Sequence, residues 1–178
     1  METVSDYKKG LALHLMEICR SKGLHGGELL QTPDLDEKWQ ELAPGFLADA
    51  VPEFNGYPEV VLAWAAYLGT AVAWCWDTDW TAYSGKDYKF FCGEKGFDYM
   101  DEHITEQLLG MPLGSDAAEA LASRMRSLAG DAYSYLLHAG LEAGSTAAFQ
   151  AVLATIEVLF TLAASIELHT LGYKWSQA

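Results

Sequence analysis

Basic side chains are scarce in this chain of 178 residues, which has 11 lysines and arginines against 25 aspartates and glutamates. The formal net charge is therefore -14, and the field around the molecule repels phosphate backbones and anionic headgroups. We expect neither nucleic acid nor a membrane surface as a partner. The same field attracts a basic protein partner, although an acidic surface also serves solubility alone.

Cysteine is also scarce, since the three cysteines are widely spaced and form no Cys-x-x-Cys pair. This pattern excludes a disulfide framework and a zinc knuckle, and we expect no metal or other cofactor. The first twenty residues place only a short, interrupted apolar stretch after their lysines, which is unlike a secretory signal. A cytoplasmic location is expected.

Strand signals are nearly absent, because no extended alternation of β-branched residues occurs. Apolar residues instead recur at spacings of three and four, which is typical of helices. The sequence predicts a single all-α domain over residues 1–178, built as an irregular bundle of five or six main helices. Glycines and prolines interrupt residues 24–57 every few positions, so that segment is predicted to be loop-rich with short helices.

A long uncharged run extends from Val60 to Trp76. Seventeen residues barely reach the length needed to cross a bilayer, and Glu59 and Asp77 flank the run where Lys or Arg would be expected. A buried helix over 58–84 explains the run better. A second buried helix is predicted over 145–171.

The uncharged run ends in an unusual motif, in which Trp74, Trp76 and Trp80 are interleaved with Asp77 and Asp79. One hypothesis is packing, with aspartates accepting hydrogen bonds from indole N–H groups. The alternative is an aromatic pocket with an acidic floor for a cationic or hydroxylated small molecule. If the helix breaks at Thr78, one aspartate simply caps the next helical turn.

Glu157 is the second unusual position, because it stands alone within a long uncharged stretch. The short turn before residue 145 predicts antiparallel packing of the last two helices, with Glu157 level with Leu128. That register nominates Arg124 or Arg126 as the partner of a buried ion pair. A functional carboxylate is the alternative.

Catalytic signatures are missing, since neither a Gly-x-Ser-x-Gly elbow nor a Walker loop occurs. We therefore expect a binding protein that engages a protein partner, and catalysis is left open. The alternative is a small-molecule binder or enzyme that uses residues 74–80 together with Glu157. Self-association is a further hypothesis, based on four aromatic residues expected at the surface: Tyr83, Tyr88, Phe90 and Phe91.

Overall fold

The computed structural model describes residues 3–24 and 28–174, and within them it contains helices but no strands. The predicted all-α class is confirmed. The helices are α1 (Val4–Ser21), α2 (Pro33–Phe54), α3 (Pro58–Tyr83), α4 (Tyr88–Cys92), α5 (Met100–Glu102), α6 (Asp116–Leu137) and α7 (Thr146–Thr170). The short α5 follows a 3-10 turn at Phe97–Tyr99 and leads into a π-helical segment at His103–Leu108.

Hydroxyl side chains fix where the long helices begin. Thr3, Thr32, Ser115 and Ser145 each precede a helix, and each side-chain oxygen accepts a hydrogen bond from the backbone N–H three residues later. These bonds satisfy donors that the first helical turn leaves without a partner. The start of each of these helices is therefore encoded locally.

Helices α3 and α7 form the centre of the core and pack along each other. Both are largely buried, as predicted. Gly69 allows the close approach, because a Cβ at this position would overlap the carbonyl oxygen of Phe160. Helix α6 packs on α3, α1 packs on α7, and α2 lies across α3.

The prediction of short helices in the glycine- and proline-rich segment was wrong, because Pro33–Phe54 is one helix of 22 residues. Pro44 and Pro52 lie inside it, and each removes a hydrogen bond to the carbonyl four residues earlier. Those carbonyls belong to Gln40 and Ala48, which are exposed like the prolines, so water can reach them. Residues 25–27 of the predicted segment lie outside the described residues.

The opposite face of α2 explains why the helix continues through both prolines. Its buried side chains recur at helical spacing on both sides of Pro44, and they join the core between α3 and α7. Burial of such a stripe outweighs the cost of an interior proline, about 3 kcal/mol. The buried apolar stripe consists of Leu35, Trp39, Leu42, Phe46 and Ala50.

Two helices, α3 and α7, are long and apolar enough to cross a membrane by length and composition. In each of them, 72% of the most apolar window of 18 residues is buried against the rest of the chain. The core helices of water-soluble proteins have the same property.

Candidate functional site

The tryptophan and aspartate motif lies at the end of α3, where the helix is kinked. Asp79 has non-helical backbone angles (φ -168°, ψ 84°), and its carboxylate accepts a hydrogen bond of 3.3 Å from the N–H of Ala82. Asp79 thus caps the last turn, which is the capping alternative that the sequence offered. The kink separates the side chains on either side of it.

Trp76 and Asp77 contact the C-terminal end of the described chain. The indole N–H of Trp76 donates to Asp34 of α2 at 3.0 Å, and the Trp76 ring lies 5.5 Å from that of Tyr173. The Tyr173 hydroxyl in turn donates to Asp77 at 2.7 Å. An aspartate does accept the indole hydrogen bond, but it comes from another helix.

Trp74 and Trp80 have other partners. The ring of Trp74 lies 6.3 Å from that of Tyr83, and the Lys38 ammonium lies 5.9 Å from the ring of Trp80. These distances fit aromatic and cation–π packing. The packing hypothesis therefore accounts for the tryptophans more fully than the pocket hypothesis does.

Lys38 is a residue whose role was not foreseen from the sequence. It is 2% exposed, and its ammonium donates to Glu41 at 2.9 Å and to the carbonyl of Ser84 at 2.7 Å. A cation at that carbonyl offsets the negative end of the α3 dipole. The signal was present, because Lys38 lies between Leu35 and Trp39 within the apolar stripe of α2.

Glu157 pairs with Lys8 of α1, so the predicted pair with Arg124 or Arg126 was wrong. The Glu157 side chain is 27% exposed. Burial raises the pKa of Glu167, and the charge of Arg124 partly offsets that rise. Antiparallel register fixes the level of a residue along a helix but not the direction it faces, and α3 is the main neighbour of both α6 and α7.

Arg126 also forms no salt bridge with Glu157, and its charge acts on Tyr67 of α3. Burial raises the pKa of Tyr67 to about 12, the charge of Asp101 adds to that rise, and the Arg126 guanidinium opposes it. Neither arginine is therefore part of a site with Glu157.

Glu157 lies instead in a groove of about 520 Å³ between α1, α2 and α7. Asp36 of α2 lines the same groove. Burial raises the pKa of Asp36, and the negative charge of Glu157 raises it further, while Lys8 partly offsets both effects. Trp76 lines a separate pocket of about 270 Å³, so the predicted ligand site around residues 74–80 does not include Glu157.

A second groove, the apolar groove, lies between the C-terminal ends of α2 and α6 and the start of α7. Its volume is about 430 Å³, and none of its lining residues is charged. Leu137 and Phe149 line it, although their side chains are 62% and 50% exposed. Apolar side chains so open to solvent, gathered around a concave surface, are typical of interaction sites.

The side chains lining the two grooves include neither histidine nor cysteine, and so offer no nucleophile activated by a histidine base. No protein-family model, curated protein or solved structure matches this chain. Function must therefore be argued from the geometry of the grooves and their charges.

Among the described residues, few side chains are arranged for metal binding or for thiol chemistry. Across residues 3–24 and 28–174, no three His, Cys, Asp or Glu side chains are grouped so that they could hold a metal ion. The three cysteines are buried and unpaired, and burial raises the pKa of Cys75 to about 12. A thiol with such a pKa is protonated near neutral pH and is a poor nucleophile.

The aromatic residues predicted to support self-association are packed against the molecule. Phe91 is fully buried, and Tyr83, Tyr88 and Phe90 are half-buried. Phe90 packs against Tyr83 and Phe91, with ring centroids 5.9 Å and 5.1 Å away. The exposed apolar side chains of the apolar groove are a better candidate surface for an interaction, and none of the residues that line this groove is charged.

Proposed function

We propose that this protein binds a basic amphipathic helix of a protein partner in the apolar groove. The observation that carries the proposal is an exposed, uncharged groove formed by two chain segments that contain acids but no lysine or arginine. An amphipathic helix buries its apolar face in such a groove, while its charged flanks meet the rim.

The fold leaves several apolar side chains of the groove exposed to solvent. Leu137 at the end of α6 is 62% exposed, Phe149 in the first turn of α7 is 50% exposed, and Leu141 between them is 36% exposed. Phe54 and Val152 continue the lining toward the core. Covering this surface with an apolar helix face would remove it from water at roughly 25 cal/mol for each Å².

The two chain segments that form the groove have an acidic composition. Residues 39–85 and 127–173 contain no lysine or arginine, whereas Glu53 stands beside Phe54 and Glu142 beside Leu141. A helix with lysines or arginines at its flanks would be attracted from a distance and held at the rim. A second copy of this chain, also at -14, would be repelled.

The proposal includes a cytoplasmic location and excludes membrane and nucleic acid as partners. Its support is the charge of -14 and the burial of α3 and α7, whose apolar surfaces are already covered by other helices.

The proposal is tested with a synthetic amphipathic peptide of about 18 residues, or five helical turns, with leucines on one face and lysines on the other. Its affinity is measured by fluorescence anisotropy, beside a second peptide in which glutamate replaces every lysine. We expect the lysine peptide to bind at least about tenfold more tightly. Adding salt should weaken its binding.

Leu137→Ser tests the location of binding, and Leu13→Ser is the matched control because Leu13 is 68% exposed on α1. We expect Leu137→Ser to lower the affinity for the lysine peptide by about tenfold, because a central apolar contact is lost. The control should bind like the unchanged protein. Equal affinity for both peptides, equal effects of the two substitutions, or self-association that Leu137→Ser abolishes would each overturn the proposal.

A further inference from the structure

The groove between α1, α2 and α7 is a second concave site, separate from the apolar groove and unused by the proposed function. Its volume of about 520 Å³ lies within the range of small-molecule pockets. Its apolar lining could hold the body of a ligand. That lining consists of Ala12, Met16, Leu29, Trp39, Val158 and Leu162.

Charged side chains from all three helices enter the groove. Lys8 and Lys9 come from α1, Asp36 from α2 and Glu157 from α7. Lys8 forms a salt bridge with Glu157. Among the described residues, no other salt bridge joins two residues that line this groove. Asp36 shares the groove with Glu157 and, in the described part of the chain, forms no salt bridge of its own.

Two carboxylates that line one groove repel each other, and Lys8 pairs with only one of them, Glu157. Burial raises the pKa of Asp36, and the negative charge of Glu157 raises it further, as expected for like charges that line one groove. An ammonium group between them would remove this repulsion and gain charge-assisted hydrogen bonds. The field of a molecule with a net charge of -14 also concentrates cations near its surface.

We propose that the groove binds an amphiphilic organic amine, with its ammonium group between Asp36 and Glu157 and its apolar body against Met16, Trp39 and Leu162. Lys8 is the competitor of such a ligand, because its own ammonium pairs with Glu157. The Lys8 side chain is 44% exposed and can turn into solvent when the ligand enters. The site thus selects a cation over an anion of the same length.

The test uses three probes of equal chain length, n-octylammonium, octanoate and 1-octanol, titrated by calorimetry at neutral pH. Octylammonium is expected to bind most tightly, because it alone complements the two carboxylates. The double substitution Asp36→Asn with Glu157→Gln preserves side-chain size. It should lower the affinity for octylammonium by about tenfold or more. Glu37→Gln is the matched control, since Glu37 is exposed on the same helix and does not line the groove.

Lys8→Met separates amine binding from the opposite arrangement, in which Lys8 and Lys9 hold an anion. Lys8→Met should raise the affinity for octylammonium several-fold, because the competing ammonium of Lys8 is removed. The proposal would be overturned if octanoate bound more tightly than octylammonium and if Lys8→Met abolished octanoate binding. Equal binding of octanol, or no measurable binding of octylammonium, would overturn it as well.

Discussion

At the scale of single residues, Lys38 shows how one side chain connects two helices. Its ammonium is buried on α2, yet it reaches the Ser84 carbonyl at the end of α3 and the ring of Trp80. Burying a charge is costly unless it is paired and hydrogen-bonded. Glu41 and the carbonyl supply those partners, so Lys38 acts as a structural tie.

Lys38→Met should destabilise the protein by about 1.5–3 kcal/mol, the usual contribution of a hydrogen bond to a charged group. Methionine preserves the length and apolar stem of the side chain, so little packing is lost. The measurement is urea unfolding followed by circular dichroism. Lys89→Met is the control, because Lys89 is exposed on α4, and it should change the unfolding free energy by less than about 0.5 kcal/mol. Equal effects of the two substitutions would contradict a structural role for Lys38.

Residue-scale chemistry was only partly predictable from the sequence. The capping role of Asp79 and the need of an indole N–H for an acceptor follow from local rules. The partners of Glu157 and Trp76 do not, because Lys8 and Asp34 are supplied by distant helices. Which face of a helix meets which neighbour depends on packing of the whole bundle.

At the scale of helices, α7 and α6 begin where their serine caps predict, at Thr146 and Asp116. Helix α2 departs from expectation because it continues through Pro44 and Pro52, although an interior proline favours a break. The decisive signal was the apolar stripe, which continues past Pro44 to Phe46 and Ala50. Tertiary burial of that stripe overrides the local cost of the prolines.

The contact between α3 and α7 depends on Gly69, where there is no space for a methyl group. Gly69→Ala improves helix propensity by about 1 kcal/mol, but the new Cβ would overlap the Phe160 carbonyl. Because that obstacle is backbone, the helices must separate, and overpacking of this kind typically costs about 1–3 kcal/mol. We expect a net loss of stability, measured as a lower midpoint of urea unfolding.

Gly130→Ala is the matched control for that substitution. Gly130 is also helical, but a Cβ there would meet only a Glu59 carboxylate oxygen at 3.8 Å. The propensity gain should therefore dominate, and the protein should become more stable by roughly 0.5–1 kcal/mol. Stabilisation by both substitutions would show that α3 and α7 do not approach as closely as Gly69 suggests.

At the scale of the whole molecule, an excess of 14 negative charges opposes compactness, because folding brings the acids closer together. The described chain forms few compensating ion pairs, and those of Lys8, Arg20 and Lys22 involve partly exposed side chains, which contribute little stability. Screening of the negative charges by salt should therefore favour the folded state.

We expect the melting temperature at pH 7 to rise when sodium chloride is increased from about 10 mM to about 150 mM, as the Debye length falls from about 30 Å to about 8 Å. A neutral osmolyte at matched osmolality is the control, because it excludes volume without screening charge. The rise should be larger with salt than with the osmolyte. A melting temperature that falls with salt would mean that attractive charge pairs outweigh the repulsion within the folded protein.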